Sequence, residues 1–295
     1  MHTIPSPEKV RGTPRTKISS PALSRTFLDN EFVYCVISQR GRGLSIGVNM
    51  NPDKRCNFDC VYCEIDRSNH HHGPARVKIS AMIHELQQLL TLAHTHQLRE
   101  HGFDRVPEDL LLLKEVALSG DGEPTLCPNF TEAVQAVAHL RAKRIVPFFK
   151  IVLITNCTGL DQPEVQTGID LLTRDDEVWA KLDAGTQHYM AAINRTEFPL
   201  DHVLKNILEL AKKRPVIIQS LFAQVNGHEP PESEIEAYAQ RLRELKEAGA
   251  NIPLVQIYSA HRPAVNCDVA HLPLRTLSRI ARHVRDVSGL KAEVF

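Results

Sequence analysis

Short apolar runs alternate along the chain with segments whose apolar residues recur every three or four positions. The runs are rich in Val, Ile and Leu, as are parallel strands buried on both faces. They predict strands at Leu44–Val48, Glu115–Leu118, Lys150–Ile154, Val178–Leu182, Val216–Leu221 and Leu254–Tyr258, and a short closing strand at Ala292–Phe295. Because strands alternate with helices, the pattern favours an α/β protein with a parallel sheet and crossover helices.

Helical periodicity is clearest in two of the intervening segments. Their apolar faces are formed by Val203, Leu204, Ile207, Leu208 and Ala211, and by Ile235, Tyr238, Leu242 and Leu245. Ser233 and Glu236 have the spacing of a capping box, which predicts the start of the second helix. Gly249 and Gly289 follow apolar helical patterns at positions where a helix C-cap needs a left-handed residue.

Charge and hydropathy narrow the functional classes. The 295 residues include 35 Lys and Arg and 35 Asp and Glu, so the formal net charge is zero. A neutral chain has no overall attraction to nucleic acid, and an RNA partner would need a local basic patch. Since no apolar run approaches the roughly 20 residues of a membrane span, and the first residues lack a signal peptide's apolar stretch, we expect a cytoplasmic protein without a membrane partner.

The beginning of the chain differs from the rest. Its cations are Lys9, Arg11, Arg15, Lys17 and Arg25, opposed by Glu8, and four prolines disfavour regular structure. We therefore predict a basic, proline-containing arm at residues 1–30 and one barrel domain at 31–295, since α/β barrels of about 250 residues commonly form a single unit. A solvated tail and an RNA-binding arm are both open interpretations of this arm.

Three of the seven cysteines lie within eight residues, in Cys56-Asn-Phe-Asp-Cys60-Val-Tyr-Cys63, just after the first predicted strand. Thiolates ligate iron–sulfur clusters, and a [4Fe–4S] cluster held by three of them keeps one iron without a protein ligand. A zinc site is the alternative, and it would need a fourth ligand, for which the histidines at 70–72 are candidates. The polar residues between the cysteines disfavour a purely structural role in a core.

This C-x3-C-x2-C spacing resembles the cluster loop of the radical S-adenosylmethionine (SAM) superfamily, and Tyr62 before the last cysteine also fits that pattern. After the second predicted strand, Gly122-Glu123-Pro124 resembles the superfamily's GGE motif, with Asp121 in place of the more usual glycine. The resemblance extends from about Val33 to the C-terminus. It implies a partial (βα)6 TIM-type barrel, the radical SAM core, preceded by a short N-terminal extension.

The resemblance also implies the cofactors and the reaction. A [4Fe–4S] cluster would be ligated by Cys56, Cys60 and Cys63, and its open iron would chelate SAM. The enzyme would cleave SAM reductively to a 5′-deoxyadenosyl radical, with electrons from a reductant such as flavodoxin or ferredoxin. The residue that reacts with the substrate is not assigned.

Polar residues at the carboxyl ends of the predicted strands should meet at one mouth of the barrel. By the resemblance, the cofactor-binding candidates are Tyr62, Gly122, Glu123, Asn156, Lys181, Asp183 and Gln256. Glu123 would accept hydrogen bonds from the SAM ammonium group, Lys181 would neutralise the SAM carboxylate or hold substrate, and Asp183 would bond a ribose hydroxyl. Lys181 and Asp183 share a strand face, so pairing with each other is the alternative.

The segment Val36–Val48, together with the two motifs, resembles the branch typified by wyosine-synthesis enzymes, which rebuild a guanine in tRNA using pyruvate. Those enzymes carry a second cluster on cysteines upstream of the main loop, where this chain has only Cys35, and they need a strongly basic RNA surface. The resemblance therefore favours a nucleobase in RNA, such as one in tRNA, as the substrate. The alternative substrates are a small molecule, a peptide and a glycyl-radical enzyme. If the protein is not an enzyme, the alternative interpretation is a non-catalytic protein that binds zinc or an iron–sulfur cluster.

Other residues after the strands are weaker candidates. Cys127, Cys157 and Cys267 follow the second, third and sixth predicted strands. These positions would place them at the same mouth of the barrel, where they are candidates for an auxiliary role. Their spacing matches no ferredoxin pattern, and free buried cysteines are common. His261 and Arg262 are candidates for substrate contact.

Overall fold

A computed structural model describes residues 27–68, 73–260, 264–265 and 268–295. Residues 1–26 of the predicted basic arm lie outside these ranges, so its interpretation stays a prediction. From Phe27 onward the chain packs on the domain. The Phe27 ring is buried, and its centroid lies 5.7 Å from that of Phe103. The division at residue 30 also stays a prediction.

The described residues form two sheets and seven α-helices. The strands are β1 (Val33–Ser38), β2 (Gly43–Asn49), β3 (Leu113–Ser119), β4 (Lys150–Thr155), β5 (Glu177–Lys181), β6 (Ile217–Leu221), β7 (Ala223–Val225), β8 (Val255–Tyr258), β9 (Val269–His271) and β10 (Ala292–Val294). The helices are α1 (Ile79–His94), α2 (Phe130–Ala142), α3 (Pro163–Asp170), α4 (Gln187–Ile193), α5 (Leu200–Lys213), α6 (Glu232–Glu247) and α7 (Leu274–Ser288).

The main sheet is a curled half-barrel of eight strands in the order β1-β2-β3-β4-β5-β6-β8-β10. All neighbours from β2 to β10 are parallel, and β1 alone pairs antiparallel, with β2. The six predicted strand–helix units correspond to β2, β3, β4, β5, β6 and β8, and the predicted closing strand is β10. The α/β class and the partial TIM-type barrel are therefore confirmed.

Three strands were not predicted. β1 forms an antiparallel hairpin with β2. No helix separates these two strands, so β1 does not fit the strand–helix alternation on which the prediction depended. β7 and β9 form a separate antiparallel pair beyond the main sheet. They have three residues each, which is too short for a period-2 pattern to be recognised.

The alternation of side chains along each strand places the core. Val116 and Leu118 of β3 and Ile151 and Leu153 of β4 are fully buried in the layer between sheet and helices. Their neighbours in sequence face the inside of the half-barrel. Because parallel strands end at the same edge, the loops after β2, β3, β4 and β5 share one mouth.

The helix boundaries are partly as predicted. Gly249 and Gly289 have φ angles of 93° and 62°, which confirms their left-handed conformation after α6 and α7. The predicted capping box was wrong: α6 begins at Glu232 after Pro231, with no side-chain cap, so Ser233 lies inside the helix. Proline fixes φ near its helical value and can begin a helix without a capping hydroxyl. Among the described residues, no helix has the length and apolar character that crossing a membrane requires.

Candidate functional site

The cysteine loop follows β2 at the mouth and is fastened to the end of α4. The backbone N–H of Asp59 donates to the Asn194 carbonyl at 3.0 Å, and that of Val61 donates to the Ile193 carbonyl at 2.8 Å. Within the loop, the Cys63 N–H donates to the Cys60 carbonyl at 2.9 Å. The loop is therefore held by backbone bonds to a helix more than a hundred residues further along the chain.

Each cysteine sulfur of this loop accepts a hydrogen bond from nitrogen. The donors are Arg67 Nη1 to Cys63 Sγ at 3.1 Å, Asn194 Nδ2 to Cys60 Sγ at 3.3 Å, and the Phe58 backbone N–H to Cys56 Sγ at 3.4 Å. Burial raises the pKa of the Cys56 thiol to about 12 and that of Cys60 to about 11. Both thiols are therefore protonated at neutral pH unless a metal displaces the proton.

The donor set fits a [4Fe–4S] cluster in its chemistry, because three thiols on one loop with N–H donors at each sulfur are what such a cluster uses. In the described ranges, no group of three or more His, Cys, Asp or Glu side chains is drawn together closely enough to hold a single metal ion. The histidines at 70–72, the zinc alternative's source of a fourth ligand, lie outside the described residues, so that alternative stays untested.

The Gly122-Glu123 turn packs directly on the cysteine loop. The Glu123 N–H donates to the Arg55 carbonyl at 3.0 Å, and a Cβ added at Gly122 would collide with that same carbonyl. Only glycine allows this approach. Asp121, the departure from the usual motif, exchanges hydrogen bonds of 3.0 Å with Asn49 at the end of β2. The two sequence motifs are thus joined in one structural unit.

The Glu123 carboxylate is buried and satisfied by protein groups. It accepts from the Thr125 N–H at 3.1 Å, the Thr125 hydroxyl at 2.7 Å, the Thr155 hydroxyl at 2.5 Å and the Asn156 N–H at 2.7 Å. Burial raises the pKa of Glu123, although these donors oppose the change. The carboxylate therefore ties the loops after β3 and β4 together, and its contact with SAM stays a prediction.

Lys181 and Asp183 lie on the same side at the end of β5, as predicted, and they pair with each other. Lys181 Nζ is 3.2 Å from Asp183 Oδ1 and donates to the Tyr258 hydroxyl at 2.8 Å. The second carboxylate oxygen accepts from the Tyr62 hydroxyl and, at 3.1 Å, from Asn194 Nδ2. The pairing that was the alternative to SAM binding is therefore observed, and it connects the cysteine loop to the barrel interior.

The two remaining cofactor candidates are also at this mouth or on the inner face. Asn156 Nδ2 donates to Asn57 Oδ1 in the cysteine loop at 2.8 Å. Gln256 is buried, and its Oε1 accepts from Gln219 Nε2 at 3.2 Å. All seven predicted cofactor residues are described, and their roles toward SAM stay predictions.

The additional cysteines divide into two groups. Cys127 and Cys157 are buried in the main core, and burial raises the pKa of both thiols. Cys267, like the substrate candidates His261 and Arg262, lies outside the described residues. An auxiliary role for these residues stays a prediction.

Two side chains at the sulfurs were missed from the sequence. Asn194 is 134 positions from Cys60 and belongs to no motif, so nothing in the sequence indicated it. Arg67 lies four residues after Cys63, and a cation so close to a cluster motif was a usable signal.

No family model matches the chain. A UPF0026 protein of Helicobacter pylori is 27% identical over 179 residues, which are 60% of this chain and 49% of that protein. A UPF0026 protein of Synechocystis is 26% identical over 166 residues, 55% of this chain and 52% of the relative. The chain thus spans about half the length of the curated relatives it matches.

Solved structures show the same fold over most of the chain. TYW1 with a lysine–pyruvate adduct bound has a TM-score of 0.54 at 17% identity and covers 85% of this chain and 75% of its own. Streptococcus suis SuiB bound to S-adenosylmethionine has a TM-score of 0.54 at 14% identity, with coverages of 87% and 52%. A spore photoproduct lyase variant has a TM-score of 0.52 at 10% identity, with coverages of 81% and 73%.

The protein has the half-barrel fold of these three structures. At the level of the fold, the predicted resemblance to the radical SAM superfamily is confirmed.

Proposed function

We propose that this protein is a radical SAM enzyme with a [4Fe–4S] cluster on Cys56, Cys60 and Cys63. The observation that carries the proposal is the direct packing of the cysteine loop on the Gly122-Glu123 turn at the mouth of the half-barrel. A cluster held by these three cysteines would supply the electron for the reductive cleavage of SAM to methionine and a 5′-deoxyadenosyl radical. The fold shared with radical SAM enzymes supports the enzyme class.

The chain's own residues would bind and orient SAM. Burial alone would lower the pKa of Lys181, but Asp183 and the Tyr258 hydroxyl raise it, so the ammonium stays charged at the mouth. That charge suits the carboxylate of SAM. The Tyr62 hydroxyl and Asn194 Nδ2 both donate to Asp183 Oδ2. A ribose hydroxyl would therefore have to replace one of these two donors to bind that oxygen. Asn156, Glu123 and Gln256 complete the proposed binding set.

For the substrate, we propose a nucleobase in RNA, supported by the motif resemblance to the wyosine-synthesis branch. A reductant such as flavodoxin or ferredoxin would supply the electron. The neutral chain offers no overall attraction to RNA, so the basic arm at its beginning is the part to test for an RNA contact.

The test is anaerobic reconstitution followed by product analysis. We expect about four irons per chain and, after reduction, methionine and 5′-deoxyadenosine from SAM. Cys60→Ala should abolish cleavage, whereas Cys35→Ala, at a buried cysteine in β1, is the matched control and should retain it. One zinc per chain with no 5′-deoxyadenosine would instead support the non-catalytic metal-binding protein.

A further inference from the structure

Arg67 is fixed by three hydrogen bonds that use all three kinds of guanidinium nitrogen. Nη1 donates to Cys63 Sγ at 3.1 Å, Nη2 to the Asp121 carbonyl at 3.0 Å and Nε to the Lys54 carbonyl at 3.2 Å. The side chain is partly buried between these groups. Arg67 therefore joins one cysteine sulfur, the Gly-Glu-Pro turn and the start of the cysteine loop.

The charge of Arg67 distinguishes it from the other donors at the sulfurs. Cys60 accepts from the neutral amide of Asn194, and Cys56 accepts from a backbone N–H. The guanidinium is within electrostatic reach of Cys56 and Cys60 as well as Cys63. A cation at this place acts on the whole three-thiol set.

A positive charge and an N–H donor beside cluster sulfurs favour the reduced form. Reduction adds an electron, so the attraction to a nearby cation is stronger afterwards than before. Cluster potentials depend on net charge and on hydrogen bonds to the sulfurs, and the groups around the ligands tune them. Removing Arg67 should therefore make the cluster harder to reduce.

We propose that Arg67 is a positioning residue that raises the reduction potential of the cluster by holding its guanidinium against Cys63. The proposal rests on the cluster assigned under the proposed function. It concerns the ease of reduction, which precedes any action on SAM. No motif of the chain contains this residue.

The experiment is a redox titration of reconstituted protein, followed by electron paramagnetic resonance of the reduced cluster. Arg67→Met should lower the midpoint potential so that the reduced-to-oxidised ratio at a fixed potential falls at least tenfold, which is 59 mV for a one-electron couple. Arg67→Lys keeps the charge but cannot make all three bonds, and its shift should be smaller. Arg105→Met, at a side chain that is 89% exposed, is the matched control and should not shift.

The outcomes separate this proposal from the proposed function. If wild-type protein assembles no iron–sulfur cluster, the proposed function fails. If wild type contains the cluster and the clusters of both Arg67 variants have the wild-type midpoint potential, this inference is overturned and the proposed function stands. If only the Arg67→Lys variant retains the cluster, a midpoint potential below that of wild type supports the inference and an unchanged potential overturns it. Loss of the cluster from both variants would assign Arg67 to assembly and overturn its role in the potential.

Discussion

Glu123→Gln should destabilise the fold, even before any ligand is considered. The carboxylate receives a backbone N–H on each oxygen: Thr125 donates to Oε1 at 3.1 Å and Asn156 donates to Oε2 at 2.7 Å. A glutamine offers one accepting oxygen and one NH2 group. In either orientation, the NH2 group faces a buried backbone N–H that loses its partner.

The magnitude follows from two opposing terms. A buried donor left unsatisfied costs about 1–3 kcal/mol, and the remaining hydrogen bonds lose about 1 kcal/mol more because their acceptor is no longer charged. Against this, burial raises the pKa of Glu123, so removing the charge recovers part of its desolvation cost. We expect a net loss of about 2 kcal/mol in the free energy of unfolding.

Urea unfolding of Glu123→Gln and wild type measures this loss. Glu100→Gln makes the same chemical change at an exposed glutamate and should stay within about 0.5 kcal/mol of wild type. SAM affinity of the folded variant, measured anaerobically by calorimetry, tests the predicted ligand role separately. If Glu123→Gln unfolds at the wild-type midpoint but binds SAM more weakly, the carboxylate serves the ligand, and our structural argument is refuted.

Three further predictions test the site, the core and the arm. Gly122→Ala should lower iron content after reconstitution, because its Cβ would displace the Arg55 carbonyl. Asp176→Asn should reduce the free energy of unfolding by about 3–5 kcal/mol in urea, because it breaks the buried 2.5 Å ion pair with Arg141. Burial alone would raise the pKa of Asp176, but Arg141 and backbone donors lower it; its stabilisation is therefore complete above the ordinary pKa of 3.8 and lost as pH falls through the lowered value. Deleting residues 1–25 should flatten the log–log salt dependence of RNA binding by roughly 0.7–0.9 per lost phosphate contact while SAM cleavage is retained.

Each of these has a contradicting result. Normal iron content in Gly122→Ala would mean that the loop can retreat without losing the cluster. A wild-type urea midpoint for Asp176→Asn would show that the ion pair does not stabilise the fold. Equal salt slopes for the full-length and shortened chains would make the arm a solvated tail and would remove the main physical support for an RNA substrate.

Features that depend only on neighbouring residues could be predicted from the sequence. Short apolar runs rich in Val, Ile and Leu predicted the parallel strands, and apolar residues that recur every three to four positions predicted the outer helices. The three cysteines belong to one loop, so their spacing alone indicated the ligand set. Gly249 and Gly289 were predictable because a left-handed residue is required locally at a helix end.

Contacts between groups that are distant in the sequence could not be predicted and were found only in the folded protein. It brought Asn194 to Cys60, paired Lys181 with Asp183, and placed the Asp121 carbonyl against Arg67. These contacts depend on strand order and register, which the apolar pattern of each strand does not specify. An apolar run indicates that a strand is buried, whereas a hydrogen bond between two loops requires the packed core to position both loops to within about half an ångström.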